Sequence, residues 1–289
     1  MKFAVVLAYN DPTHYLDLAR AAEAAGFDSM AVSDHVVHPE KLASTYPYTD
    51  DGLPRWGPFT PWPDPWVAIG AMSAVTKRLR FIVNVVVLPL RSPFLVAKTV
   101  GTAAVMTGNR VTLGVGVGWM REEFELLEQP FHKRGRRMDE MIEVMRKLWA
   151  GGMVEHHGEF FRFDRLEMSP VPSETIPIYV GGVSEPALRR AARIGDGWAS
   201  ELHSTREMEK FVARLRSYRE DSPRAGQPLE ICAAIDDAYK LDHYQRLEEI
   251  GVTHLLVVPW MFYRGASDSL ETRCEAIRRF GDDVVARMG

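Results

Sequence analysis

Residues 176–201 read IPIYVGGVSEPALRRAARIGDGWASE. An apolar run, Ile176–Gly181, halts at two glycines. Ser184-Glu185-Pro186 then supplies a helix-capping residue and a proline in the first turn of a helix. A second β-rich run, Gly197–Glu201, follows. Six more such runs predict strands elsewhere in the chain: Phe3–Tyr9, Ser29–Asp34, Leu79–Leu88, Val111–Val117, Leu229–Ile235 and His254–Pro259. Most are continuously apolar rather than alternating, as parallel strands covered on both faces should be. Between them, helical spacing recurs. Tyr15, Leu18, Ala19, Ala22 and Ala25 form one stripe that Gly26 stops, and Met138, Met141, Ile142, Met145, Leu148 and Trp149 form another that ends at Gly151-Gly152. Asp64-Pro65 opens a further helix. Strand–helix alternation repeated eight times leaves a barrel or a doubly wound sheet, and eight units without a recognisable second domain favour a (β/α)8 barrel with insertions, a single domain over residues 1–289.

The 289 residues suit one such barrel, and a hydrophobic fraction of 46% is ample for its core. Lys and Arg number 35 against 39 Asp and Glu, a net charge of −4, so no general attraction to nucleic acid or anionic membrane follows. Cys232 and Cys274 lie far apart, with no metal-ligand spacing, which points to a reducing, cytosolic setting. The opening MKFAVVLAYN reads as a first strand rather than a signal peptide, and no apolar run approaches the roughly 20 residues that span a bilayer.

Two connections exceed ordinary loops. Residues 38–63, rich in Pro, Gly, Tyr and Trp, follow the second strand, on the face of a barrel where active sites are built, and are expected to form a substrate lid. Residues 151–175 are expected to form a structural hairpin, with His156-His157 on its surface. The basic run His132–Arg137 lacks interleaved aromatics and is expected to be a solvated helix start, with Arg134 ordering a loop.

Candidate chemistry collects at strand ends. Asp34-His35 closes the second strand, where a histidine can hydrogen-bond a cofactor or move a proton; a capping Asp34 and a merely solvated His35 are the bland alternative. Asn84 interrupts RFIVNVVVLP, as a ligand-facing residue, a backbone irregularity or a bonded core amide would. Gly114, Gly116 and Gly118 alternate along the fourth strand on one face and leave room for a flat ring or for bulky neighbours. At Gly181-Gly182-Val183-Ser184 the backbone can approach a ligand, and the free N–H groups of the following helix favour an anion, unless Ser184 serves only as the cap. The metal-site patterns H-x-H, H-E-x-x-H and a cysteine cluster are absent, so no metal is expected.

Taken in order, LARAAEAAGFDSMAVSDHV, DPWVAIGAMSAVTKRLRF, VLPLRSPFLVAKTVGTAAVMTGNRVTLGVGVGW, FHKRGRRMDEMIEVMRKLW and IPIYVGGVSEPALRRAARIGDGW resemble luciferase-like flavin oxidoreductases, especially the branch using the deazaflavin coenzyme F420. The resemblance spans about residues 1–200; from Leu202 only the general barrel pattern continues. It implies an often dimeric barrel with a tricyclic ring in its mouth and the ring's phosphate at Gly181, Gly182, Val183 and Ser184. It further implies that Asp34-His35 lies beside the ring and that strand three bulges at Asn84-Val85, commonly with a non-proline cis peptide, to support the ring. Family members often carry Gly where Asn84 stands. Gly118 and Trp119 would border the ring, and Trp62 and Trp66 would add apolar walls. Some deazaflavin dehydrogenases carry a catalytic Glu where this chain has Trp119, which argues against their sugar-phosphate activity here. The implied function is hydride transfer between coenzyme F420 and a small organic substrate. An FMN-dependent monooxygenase and a non-catalytic flavin-binding protein are the alternatives.

Overall fold

The computed structural model describes residues 1–263 and 269–288. The eight predicted strands all form and all join one sheet: β1 (Lys2–Val6), β2 (Ser29–Val32), β3 (Arg80–Val87), β4 (Val111–Gly116), β7 (Ile178–Gly181), β8 (Gly197–His203), β9 (Glu230–Ile235) and β10 (His254–Val257). Each pairs in parallel with its neighbours, and β1 pairs with both β10 and β2, which closes the barrel. The remaining two strands, β5 (Val154–His157) and β6 (Arg162–Leu166), form the expected antiparallel hairpin outside it.

Helices α1 (Tyr15–Ala24), α2 (Pro65–Ser73), α3 (Pro93–Thr107), α4 (Arg121–Leu126), α5 (Arg134–Trp149), α6 (Glu185–Ile194), α7 (Thr205–Glu220), α8 (Leu241–Ile250) and α9 (Leu270–Phe280) follow. Their starts obey local chemistry. Asp64 accepts from the N–H groups of Trp66 and Val67 at 2.9 and 3.0 Å, which caps α2 ahead of its first-turn proline. Gly151 and Gly152, both at positive φ, let the chain turn away after α5.

Two apolar layers result. The larger lies between strands and helices; the smaller fills the barrel interior with Ala4, Ala31, Ile82, Tyr179, Ala199, Cys232 and Leu256. The inward positions mix small residues, Ala4, Ala31, Ala199 and Cys232, with the larger Ile82, Tyr179 and Leu256. Strand ends overran the structure on the sequence reading: β1 ends at Val6 rather than Tyr9, and β2 at Val32 rather than Asp34. The overrun residues remain apolar or polar as read, but they leave the sheet and become the rim of the barrel mouth.

Three expectations need correction. The basic run at the start of α5 is not wholly solvated: Arg137 is buried, with its guanidinium donating to Pro89 O and Gln129 Oε1. His156 is not a surface residue: it is 5% exposed, its Nε2 lies 3.1 Å from Glu140 Oε1, and its Nδ1 lies 3.1 Å from Lys147 Nζ. It ties the hairpin to α5, while His157 is exposed as read. Trp66 packs on the helix-covered core, away from the rings that gather at the mouth. No helix among the described residues is long and apolar enough to cross a membrane.

Candidate active site

The mouth is organised by two carboxylates that hold neighbouring residues of one loop. Asp34, 6% exposed, pairs with the Arg91 guanidinium at 2.7 Å through Oδ1 and accepts from the Val87 N–H at 3.3 Å through Oδ2. It thereby pins the end of β2 to the end of β3. Burial pushes its carboxyl up from the usual range, and Arg91 with the Val87 N–H opposes that push. Next to it, His35 presents Nδ1 to Glu123 Oε1 at 3.4 Å, and the same oxygen accepts from Val36 N–H at 2.9 Å. Glu123 is 1% exposed. With Nδ1 facing a carboxylate, Nε2 is the ring nitrogen of His35 left facing away from Glu123. It has no hydrogen bond to protein among the described residues.

Strand β3 breaks its register where Asn84 stands: Val83 pairs with Leu113, but the next pairing is Val86 with Val115. The Asn84-Val85 peptide is cis, as the resemblance implied. Both residues are half-buried, and the Asn84 amide bonds to no protein group among the described residues. The alternating glycines explain how the bulge fits. A Cβ at Gly116 would stand 2.9 Å from Val85 Cγ2, and a Cβ at Gly181 would stand 3.0 Å from Val85 Cγ1. The space those glycines leave is thus taken by the Val85 isopropyl group, which the bulge carries inward. At Gly118, φ is +79° and a Cβ would meet Val87 and Phe124. Arg134 holds this turn: its Nε donates to Gly118 O at 3.0 Å, and its guanidinium lies 3.8 Å from the Phe131 ring centre. Arg134 therefore orders the loop as read.

At the end of β7, the strand next to β4, Gly182 turns at φ +109° into the N-terminus of α6. Ser184 occupies the cap position, yet its hydroxyl makes no capping hydrogen bond and the residue is exposed. The bland role for Ser184 is thus unfilled, and its hydroxyl stands at a helix start where the Ala187 and Leu188 N–H groups bond Ser184 O and Pro186 has none, which leaves the Glu185 N–H without a bond to protein among the described residues.

Residues 38–63 fold over the mouth as a lid. They are tied down at both sides: Glu122 accepts from the N–H groups of Ala43 and Ser44 at 2.7 and 3.0 Å, while Arg55 pairs with Glu201 at 2.9 Å. Arg55 also donates to Tyr48 O at 2.9 Å. The lid delivers rings to His35. Ring centres of Trp56, Trp62 and Trp119 lie 4.7, 5.2 and 6.4 Å from the imidazole. Tyr46 stands 5.3 Å from Trp56 and 5.1 Å from Trp119, and Tyr9 stands 5.5 Å from Trp62. Burial, reinforced by Glu201, raises the Tyr46 phenol, so it stays a neutral donor, 3.4 Å from Glu201 Oε1.

The sequence-read residues therefore gather at one end of the barrel: Asp34, His35, Asn84, Val85, Gly118 and Trp119 at the ends of β2, β3 and β4, and Gly181, Gly182, Val183 and Ser184 at the end of neighbouring β7, where Gly181 abuts Val85. Glu123, Trp56, Tyr46 and the Arg55–Glu201 pair were not singled out. A signal existed for Glu123, since Glu122-Glu123 opens a helix right after the Gly118-Trp119 turn. Among the described residues, no three His, Cys, Asp or Glu side chains group to hold a metal ion.

A family model described as luciferase-like monooxygenase matches residues 2–276. A protein of Mycobacterium tuberculosis described as uncharacterised is 41% identical over 290 residues, covering 100% of both chains. An F420-dependent glucose-6-phosphate dehydrogenase of Nakamurella multipartita is 29% identical over 278 residues, covering 94% of this chain and 76% of that protein. Among solved structures, an F420-dependent secondary alcohol dehydrogenase in complex with an F420-acetone adduct is similar in fold, with a TM-score of 0.76 at 18% identity over 100% of this chain and 99% of that one.

Proposed function

Because this chain belongs to the luciferase-like monooxygenase family of oxidoreductases, we propose that it uses coenzyme F420 to pass a hydride to or from a small organic substrate. One observation carries the proposal: His35, fixed through Nδ1 by buried Glu123, holds an unpartnered Nε2 at the barrel end where Asn84-Val85 bulges from β3. Relatives whose names specify F420 support this cofactor over FMN.

The residues present fit the group. Val85, with bare backbone around it at Gly114, Gly116 and Gly181, offers a smooth apolar shelf for a flat ring, and Asn84 offers an amide for the ring's polar edge. Gly182, Val183 and Ser184, at the start of α6, would hold the phosphate. When bound, a deazaflavin supplies a ring carbon that gives or accepts hydride. The chain supplies the rest. His35 Nε2 takes the proton of a substrate hydroxyl, or returns one to a carbonyl oxygen, while Glu123 keeps the imidazole in one orientation. The lid, tied by Glu122 and Arg55, excludes water and holds the substrate against the reacting face. Asp34 keeps the two strand ends in place and so sets where His35 stands.

We further propose that the chain works as a homodimer. The exposed apolar side chains of Val67 on α2 and of Leu95 and Met106 on α3, neighbouring helices, support this.

The test titrates coenzyme F420 and FMN separately into the protein and follows absorbance. Saturable binding of coenzyme F420, with His35→Ala lowering turnover by roughly 10²–10⁴-fold but cofactor affinity much less, is the expected result. Near-normal turnover in His35→Ala would remove His35 from the mechanism. Stoichiometric oxygen uptake with reduced FMN would replace the deazaflavin reading with a monooxygenase.

A further inference from the structure

We infer that the substrate is an uncharged, ring-bearing alcohol or ketone, and that Trp56 sets this preference; the inference rests on the oxidoreductase reading above. The surroundings of His35 carry it. Three indoles and, behind them, Tyr46 and Tyr9 form a continuous wall in which neighbouring rings meet mostly edge to face. A substrate that reaches Nε2 must displace or slide along these rings, so its non-reacting part is best apolar and flat.

Two of the arginines around the mouth are neutralised in ion pairs, Arg55 with Glu201 and Arg91 with Asp34. Arg134 and Arg273 keep their charge, but they bond the neutral oxygens of Gly118 and Asn10 and lie over the rings of Phe131 and Trp260. A phosphorylated sugar would therefore find its dianion facing rings and committed guanidinium groups, at a high desolvation cost. The carboxylates are equally engaged: Glu123 holds His35 and the Val36 N–H, and Glu201 holds Arg55 and Tyr46. An aromatic cage for a quaternary ammonium gains from an available carboxylate, and these are occupied. What remains towards the substrate is His35 Nε2 and, beside it, the Trp62 indole N–H, which is buried without a partner; a proton-handling nitrogen and one neutral donor suit a single hydroxyl or carbonyl. Trp56 lies nearest the imidazole, and it directly follows Arg55, whose pairing with Glu201 holds this stretch of lid in place.

The experiment measures calorimetric binding of cyclohexanol, propan-2-ol, glucose 6-phosphate and choline to the protein loaded with coenzyme F420, alongside steady-state turnover. Cyclohexanol should bind on the order of 10²-fold tighter than propan-2-ol, since each of its three further carbons adds about fourfold when buried in an apolar pocket. Glucose 6-phosphate and choline should not bind. Trp56→Ala should raise the cyclohexanol Kd and KM roughly tenfold or more with kcat changed less, and Trp56→Phe should restore most of the loss. Glucose 6-phosphate or choline binding as well as cyclohexanol, or a cyclohexanol Kd unchanged in Trp56→Ala, overturns the inference. Trp56-dependent binding of cyclohexanol without hydride transfer overturns the oxidoreductase reading and supports the substrate class. If coenzyme F420 itself fails to bind, that reading falls, and the same binding series on the protein alone decides the class.

Discussion

Replacing Gly116 with alanine tests how the bulge of β3 is accommodated. The new Cβ would stand 2.9 Å from Val85 Cγ2 and 3.9 Å from Val85 Cβ, with nothing else within 4 Å. Ordinary contact begins near 3.4 Å, so the isopropyl group must retreat. It is β-branched and stiff about χ1, and its other methyl faces the bare backbones at Gly114 and Gly181, so rotation only moves the crowding. Overpacking of this kind costs about 1–3 kcal/mol, and exchanging glycine for alanine within a strand returns about 0.5–1 kcal/mol. Gly116→Ala should therefore lose about 1–2 kcal/mol. Val85→Ala alone removes two methyl groups from a half-buried site and should lose about 1 kcal/mol. In the double variant the clash is gone, so Gly116→Ala should become neutral or slightly stabilising, giving a coupling of about 1–3 kcal/mol, the size of the clash itself. Gly114→Ala is the control: its Cβ would stand 2.1 Å from the Val83 carbonyl oxygen, and trimming Val85 cannot relieve a backbone clash. Urea unfolding followed by circular dichroism, with unchanged m-values, gives all the energies. Costs that add within about 0.3–0.5 kcal/mol would show that Val85 is not what the glycine accommodates. Rescue of Gly114→Ala by Val85→Ala would refute the reasoning from the other side.

Other consequences can be measured directly. Ser184→Ala should change stability by no more than about 0.5 kcal/mol, because the hydroxyl makes no cap; coenzyme F420 affinity, read by absorbance titration, should fall roughly tenfold or more if that hydroxyl bonds the phosphate. Burial holds His203 below the ordinary histidine value, and its Nε2 is buried without a partner. The unfolded chain thus takes up a proton near pH 6.5 that the folded chain refuses, so stability should fall as pH drops from about 7.5 to about 5.5, and His203→Leu should flatten that slope in urea titrations. Burial alone would raise the Glu140 carboxyl, but the Phe160 and Phe161 N–H groups and His156 hold it below the usual range. Glu140→Gln should cost about 1–3 kcal/mol near neutral pH, with hydrogen exchange accelerated first in the β5–β6 hairpin.

The barrel was legible because it is written in local signals. Continuous apolar runs, glycine stops and capped helix starts recur at each unit, and the predicted starts at Ser29, Val111, Gly197 and His254 coincide with the observed ones. The Asn84 break and the Gly182–Ser184 turn were visible for the same reason, as departures within a short window. What escaped notice depends on sequence-distant encounters. Arg55 meets Glu201 across 146 positions, and Glu123 meets His35 across 88. Nothing local tells a lid arginine from any solvated one, or the second glutamate of Arg121-Glu122-Glu123 from a helix-starting charge. His156 was misread on the same grounds: a histidine in a polar hairpin is ordinarily solvated, and only the neighbouring α5 supplies the Glu140 and Lys147 that bury it.

The two residues of the Asp34-His35 pair were read together, and the geometry divides their work. Asp34 faces away from any substrate: one oxygen is on Arg91, the other on the Val87 N–H, both from the segment that leaves β3 just past the bulge. His35 faces the other way, with Glu123 of α4 behind it. The dipeptide thus joins the strand that carries Asn84-Val85 to the helix that follows the Gly118-Trp119 turn. A shift of the bulge would be passed to His35 through Asp34, and a shift of α4 would be passed through Glu123. This explains why an acid buried at a mouth otherwise lined by aromatics is tolerated: its desolvation is offset by an arginine and a backbone donor, and in return the proton-handling nitrogen is held at a fixed place relative to the shelf proposed to support the ring. On the function proposed above, Asp34 would be a positioning residue, and the catalytic role within the pair would fall to His35 alone.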